Sequence, residues 1–312
     1  MQHDLPHVLR TRGDLPRSEI LRLGHTDRDL SALLRHGAIE RIGRATYGLP
    51  RPDLRPEERH IRTTRAVLHR YAGRAVASHH SALALAGLPL HDVPWDEVHV
   101  TALHARSFRR RSDHVLHAAD VSTRHGAHPA HPHRVTLADA LVQTGKQWGP
   151  GALLVPADQA LRRTMLTVDE LAAAVKRYAH APGLTQVKAA VALVDPLAES
   201  PGESLLRWVL HQLGHVTRAQ VDAGLRHRVC RIDLVIEGTR IALEFDGMGK
   251  YELGPSGNEH TRQRLLRAEK ARDEDLRAAG WYVVHVTWPE LFHPEVIARR
   301  IEAARTWSAR AM

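Results

Sequence analysis

The sequence predicts a mixed α/β chain of the α+β class, organised in three segments. Residues 1–50 carry three short helix-period runs and then a hairpin. Residues 51–198 mix helical runs with isolated strand runs. Beyond residue 198, two period-two runs sit between helical stretches and imply a mixed sheet flanked by helices. The chain has 312 residues, enough for two or three domains at about 100–200 residues each. Hydrophobic residues make up 43% and aromatics only 4%, so the core has to be built largely from Ala, Val and Leu.

In the first segment Leu5, Val8 and Leu9 mark a helix. The run "PRSEILRLG" gives a second, opened by Pro16 and closed by Gly24. Thr26 and Asp29 form a capping box ahead of Leu30, Leu33 and Leu34, and Gly37 ends that third helix. "AIERIGRATYGL" reads as two short strands around Gly43. Helix, helix, turn, helix, hairpin is the order of a winged helix-turn-helix, in which the third helix enters the major groove of DNA. Arg28 and Arg35 on that helix, and Arg41 and Arg44 on the wing, are the candidate DNA contacts.

In the middle segment "SHHSALALAGL", "RVTLADALVQTG", "GALLVPADQALRRTM" and "TVDELAAAVKRYAHA" read as helices, and "DEVHVTA" and "DHVLHAA" as strands. The basic run Phe108 to Arg111 reads as a solvated loop. Histidines 125, 128, 131 and 133 lie in a Pro/Gly-rich loop without an acid or cysteine at metal-site spacing, and read as loop filler.

The third segment opens with "SPGESLLRWVLHQLG". Ser200, Pro201 at the first helical position and Glu203 three residues after the serine make a capping box. The same Glu203 could lean toward acids further along and hold a metal-bound water. Those acids lie in "RIDLVIEGTRIALEFDG". Both halves alternate, so both are strands with one apolar face. Gly238-Thr239 suits a type II′ two-residue turn, and pairing Glu237 with Arg240 sets Ile236 opposite Ile241, Leu234 opposite Leu243 and Ile232 opposite Phe245. On the other face Val235 meets Ala242 and Asp233 meets Glu244, at about 4.5–5.5 Å between Cβ atoms; Asp246 projects from the same face. Directly opposed carboxylates repel. A hard divalent cation relieves that, and Mg²⁺ takes carboxylate oxygens. Asp233, Glu244 and Asp246 are therefore the candidate metal ligands, with Mg²⁺ the expected ion and Mn²⁺ an alternative. The bland alternative has Asp233 and Asp246 solvated at strand ends and Glu244 paired with an arginine. Lys250 and Lys270, two of only five lysines, flank the acids as candidates for stabilising charge on a phosphate.

The order of these elements, ending in "AEKARDEDLRAAGWYVVHVTWPEL", resembles the PD-(D/E)XK nuclease superfamily. Within it, "IALEFDGMGKY" is similar to the endonuclease-like domains related to very-short-patch mismatch repair endonucleases. The likeness covers about residues 198–305. It implies a restriction-endonuclease-like mixed sheet flanked by helices and Mg²⁺-dependent hydrolysis of DNA phosphodiesters. It also implies metal-site roles for Asp233, Glu244 and Asp246, a first-helix acid at Glu203, a site-lining Gln220, and Lys250 or Lys270 as the basic partner. Where the superfamily has a lysine two residues after the acid, this chain has Asp246. "LRHGAIERIGRATYGL" and "SHHSALALAGLPL" resemble the AbiEi-type antitoxins of abortive-infection systems, whose winged helix binds their own promoter.

The net charge of +9 points to a polyanionic partner, although arginine is abundant throughout, as in the composition of a GC-rich genome. The single cysteine, Cys230, excludes an internal disulfide and fits a reducing cytoplasm. No signal-peptide core or membrane span is legible. The domains expected are a winged helix-turn-helix over 1–50, an AbiEi-like α+β segment over 51–198 and an endonuclease-like domain over 199–312. The expected function is a DNA endonuclease acting in phage or foreign-DNA defence, with DNA as partner. The alternative is a DNA-binding repressor or antitoxin of a type IV toxin-antitoxin system whose nuclease fold is inactive. A cognate toxin and a second copy of the chain are the further partners considered.

Overall fold

In a computed structural model the structure describes residues 4–104, 108–121, 130–179, 181–225, 230–247 and 259–311. It is mixed α and β throughout, as the patterning requires. Two compact units form, Met1–Ala152 with Val168–Val187, and Leu153–Thr167 with Lys188–Met312. Among the described residues no helix is long and apolar enough to cross a membrane.

The first unit begins α1 (Leu5–Arg12), β1 (Leu15–Pro16), α2 (Arg17–Arg22), α3 (Asp27–Arg35), β2 (Glu40–Gly43) and β3 (Thr46–Gly48). The capping box forms as expected: Thr26 Oγ1 accepts from the Asp29 N–H, and Asp29 accepts from the Thr26 N–H. Pro16 differs from expectation. It pairs with Thr46 as part of β1, in a three-stranded sheet of order β1-β3-β2, and α2 starts one residue later. A proline fits an edge strand because it has no N–H to donate. Leu5, Leu9, Ile20, Leu30, Ile39 and Tyr47 close a small core within these elements.

Helix α4 (Pro56–Tyr71) follows. Its Arg62 donates bidentately to Asp14 at 2.7 Å, to Glu40, and to the Leu49 carbonyl at 2.8 Å. Gly48 leaves room for this cluster, since a Cβ at this position would lie 2.0 Å from an Asp14 oxygen and would force the Asp14–Arg62 pair to shift. The rest of the unit sets a sheet of β4 (Ala75–Ala77), β5 (His99–Ala102), β7 (Val115–His117) and β6 (Arg109–Arg110), in that order, against α5 (His79–Leu85) and α6 (Leu137–Trp148), with α8 (Val168–Arg177) beyond. Every helix and strand expected from the quoted motifs of this segment is present.

The second unit takes the part of α7 (Pro150–Arg162) from Leu153 onward, then α10 (Pro201–Gln212), reached through α9 (Leu184–Val191). A mixed sheet follows: β8 (Thr217–Asp222), β9 (Arg231–Ile236), β10 (Ile241–Asp246) and β11 (Tyr282–Thr287), in the order β11-β10-β9-β8. Only β10 and β11 run parallel, joined by the crossover helix α11 (Glu259–Ala278). On one face Leu234, Ile236, Leu243 and Phe245 pack with Leu206 and Leu210 of α10 and with Ile297 and Ile301 of α13 (Pro294–Ala311). On the other, Val235 and Ala242 pack with Leu276 of α11 and with Trp281.

Helix α10 is fixed to α7 by a buried ion pair. Arg207 donates to Asp158, which also accepts from Ser204 Oγ at 2.6 Å and from the Asp195 N–H at 2.8 Å. Breaking such a pair from one side strands a buried charge. Asp158→Ala is expected to cost about 3–5 kcal/mol, and the Asp158→Ala/Arg207→Ala double variant to cost less than the sum of the two singles. Equilibrium denaturation of the three variants measures this.

Candidate functional site

The register read from alternation is the one that forms. Ala242 lies opposite Val235 and Leu243 opposite Leu234, which brings Asp233 opposite Glu244. Two neighbouring ladders extend the row: Ala219 pairs with Leu234 and Val221 with Ile232, so Gln220 is level with Asp233, and Glu244 pairs with His285. One polar file, Gln220–Asp233–Glu244–His285, thus crosses all four strands.

The bend that sets this register differs from the expected type II′ turn. The Thr239 N–H donates to the Ile236 carbonyl at 3.2 Å, so Glu237 and Gly238 are its central residues, and Gly238 has φ +71°. The Thr239 hydroxyl completes it, donating to the Ile236 carbonyl at 2.8 Å and accepting from the Ile241 N–H at 3.1 Å. A threonine side chain can replace a backbone partner in this way, which moves the turn by one residue and leaves the strand pairing intact.

Along the file the ladders give way. Asp233 accepts the Phe245 N–H at 2.9 Å through its side chain. Beyond this point Ile232 joins Val235 and Ala242 in the core beneath α11 rather than packing on Phe245. Gln220 has φ +51°, a left-handed conformation that costs a non-glycine residue about 1–3 kcal/mol and recurs where function constrains the backbone.

Glu203 enters from α10. Its N–H donates to Ser200 Oγ at 3.2 Å, as a cap should. Its carboxylate, however, accepts from the Glu199 N–H at 3.0 Å and from Gln220 Nε2 at 3.1 Å, with the Ser200 side chain a further partner, rather than from the Ser200 N–H as the reciprocal box requires. Helix and sheet approach closely because residue 202 is glycine: a Cβ there would meet the Phe245 ring at 1.9 Å. Burial, then the nearby Asp233 carboxylate, raise the Glu203 pKa against the hydrogen bonds it accepts.

Glu244 is 1% exposed. Burial and Asp233 push its pKa up to about 7, against the pull of Arg272. That arginine, on α11, donates to both Glu244 oxygens at 2.8 and 2.9 Å and is itself held firmly charged by the pair. Next along the sheet, His285 lies 3.1 Å from Asp246 and 2.9 Å from Asp273 of α11. Hydrogen bonds to these two carboxylates lift it to about 9, so the ring is an imidazolium at neutral pH.

Ligand atoms of Asp246, Glu269 and His285 all fall within 4.8 Å of one another. The structure therefore adds Glu269, Arg272, Asp273 and His285 to the residues expected from sequence. Their signal was the spacing 269, 272, 273 and 276 on one face of α11, hidden because three of the four positions are charged. Lys270 points outward: it is 79% exposed and 4.0 Å from Glu274. Lys250 lies outside the described residues.

In the first unit Arg28, Arg35, Arg41 and Arg44 are all exposed. Arg41 also lies over the Tyr47 ring at 5.6 Å, and the Arg44 N–H donates to Asp113 at 3.3 Å. In the run Phe108 to Arg111, Arg110 donates to both oxygens of Glu97 at 2.7 and 3.1 Å. No family model matches this chain, and no curated protein matches it.

The acid file carries a signed pH dependence. The folded pKa of His285 is raised above its ordinary 6.5 to about 9. Its contribution is thus complete below about pH 6.5 and is lost as pH rises through about 9. At 1.36 kcal/mol per pKa unit the ceiling is about 3 kcal/mol, and solvent at this 28% exposed ring brings the expectation to roughly 1–3 kcal/mol. The Tm difference between wild type and His285→Asn should shrink steadily from about pH 6 to about pH 10.

Proposed function

We propose that the second unit is a divalent-cation-dependent phosphodiesterase acting on DNA, delivered to duplex DNA by the winged module of the first unit, in defence against phage or other foreign DNA. The observation that carries this reading is an excess of carboxylates over fixed cations. Glu203, Asp233, Glu244, Asp246, Glu269 and Asp273 gather around Arg272, His285 and Arg277, which pairs with Asp273 at 3.2 Å, six carboxylates to three cations. With Arg272 on both its oxygens, Glu244 is still driven up to about 7. Such a cluster fits an added cation.

Asp246, Glu269 and His285 are the residues that would hold it. Two carboxylates and one imidazole suit Mn²⁺ as well as Mg²⁺. A divalent ion there supplies an acidified water and screens phosphate charge. Glu244, near half-protonation at neutral pH, has the proton affinity of a general acid or base. Asp233 is oriented by the Phe245 N–H, and Glu203 by Gln220 and the Glu199 N–H. In this reading the exposed Arg28 and Arg35 on α3, with Arg41 and Arg44 on the wing, would make the phosphate and groove contacts.

A second reading, a DNA-binding repressor or antitoxin with a spent nuclease fold, is favoured by a different observation. Arg272 already occupies both Glu244 oxygens, and His285 already sits between Asp246 and Asp273.

Supercoiled plasmid, linear duplex, single strands and RNA are incubated with Mg²⁺ or Mn²⁺ and with wild type, Asp233→Ala or Asp273→Asn. The nuclease reading expects DNA cleavage that vanishes in Asp233→Ala and falls roughly 10–100-fold in Asp273→Asn, which orients His285. No cleavage of any DNA form, together with tight promoter binding lost on Arg28→Ala/Arg35→Ala, supports the regulator. Cleavage of RNA alone overturns the DNA assignment.

A further inference from the structure

The first unit holds a group of side chains that the proposed nuclease does not use. His79 opens α5, His99 opens β5 and His117 ends β7. In the parallel pairing of those strands Thr101 faces His117 and His99 faces Val115, so His99 and His117 share one face of the sheet. His99 Nδ1 lies 2.8 Å from His117 Nε2. The ring of His79 stacks on that of His117 at 4.1 Å and lies 5.1 Å from that of His99. One nitrogen from each falls within 4.8 Å of the other two.

The surroundings prepare these rings as ligands. His99 Nε2 is 2.8 Å from Glu97 Oε1, and Glu97 is held in turn by Arg110. A carboxylate there requires His99 to carry its proton on Nε2, which turns the Nδ1 lone pair toward the other two rings. This carboxylate–imidazole arrangement is the outer support that metal-ligating histidines recurrently have. His79 Nδ1 is 3.0 Å from Ser78 Oγ. The His79 N–H donates to Gln143 at 3.1 Å, which fixes a residue with φ +52°. A strained non-glycine backbone at a convergence of buried polar groups is where functional constraint is expected.

Burial holds all three imidazoles below their ordinary range, and repulsion between rings adds to it at His79 and His99; His99 stands at about 3 and His117 at about 4. The rings are therefore neutral at physiological pH, the form that binds metal. His79 and His99 are buried and His117 is partly exposed, so the group is reached from the His117 side.

We propose that His79, His99 and His117 bind one divalent transition-metal ion of the Zn²⁺ class, with the remaining position open to water or a small ligand. Three nitrogen donors exclude Mg²⁺ and Ca²⁺, which select oxygen, and suit Zn²⁺, Co²⁺ or Ni²⁺. With metal–nitrogen bonds of about 2.0–2.1 Å, tetrahedral ligands stand roughly 3.3 Å apart. His99 Nδ1 and His117 Nε2 thus separate by about half an ångström as the ion replaces the proton between them. Three protein ligands and one exchangeable position is the coordination of zinc sites that do chemistry rather than staple a fold.

The test uses the chelator-stripped full chain titrated with Co²⁺, whose visible absorption reports four-coordinate binding. Wild type is expected to bind one equivalent with that spectrum and to release it to one equivalent of Zn²⁺. Folded His117→Gln should lose this equivalent, whereas Asp246→Asn, altered in the other unit, should keep it. Absence of the four-coordinate spectrum in folded wild type overturns the site. So does its retention in His117→Gln, or its loss only in Asp246→Asn. If His117→Gln does not fold, imidazole nitrogen NMR of wild type decides. Three rings shifting on Zn²⁺ addition support the site; a single ring, as His285 alone would give, or none, overturns it.

Discussion

One cross-strand register governs the second unit. Because Leu243 faces Leu234 and Glu244 pairs with His285, Gln220, Asp233, Glu244 and His285 fall into a single row, with Asp246 two residues along. The apolar side chains on either side are then free to bury against α10 and α13 or against α11. A slip of one residue in β9 would carry Asp233 into the α10 face and Leu234 beneath α11. The fold and the acid file are consequences of the same pairing, and neither survives a change in it.

That file is electrostatically unstable by itself, and the structure answers with cations drawn from elsewhere in the chain, Arg272 and His285 beside its acids and Arg277 on Asp273. Arg272 reaches down from α11 to Glu244, and His285 stands in β11 between Asp246 and Asp273. Arginine suits the buried position because its planar fork satisfies both carboxylate oxygens and stays charged. Histidine suits the rim because its proton can leave, for solvent or for a metal ion. The strained Gln220 and the close approach at Gly202 bring Glu203 within reach of Asp233.

The first unit relies on a different kind of junction. Arg62 gathers Asp14, Glu40 and the Leu49 carbonyl, so the N-terminal helices and three-stranded sheet, which have a small core of their own, are also tied to α4. Their exposed arginines take no part in that tie. Deeper in the unit burial keeps His79, His99 and His117 neutral even with Glu97 beside His99, the reverse of His285 between its two carboxylates.

By itself the sequence determined what depends on neighbours along the chain. Alternation specified β9, β10 and the pairing of Val235 with Ala242 and Leu234 with Leu243; helical spacing and caps specified α3, α5, α6 and α10; and the shared face of Glu244 and Asp246 follows from the pleat alone, whereas Ile232 departs from the alternation. Local chemistry left open which of two hydroxyl and backbone partners closes the bend at Thr239, and whether the carboxylate of Glu203 turns to Ser200 or to Glu199. Only the tertiary structure decided which cations meet the acids. Arg272 and His285 lie 28 and 41 residues beyond Glu244, and nothing in their local pattern separates them from the many solvated arginines and histidines around them. The same holds for His79, His99 and His117, whose convergence needs a helix and two strands to pack. Interactions closed by distant segments depend on how the layers stack, and a one-dimensional pattern does not encode that distance.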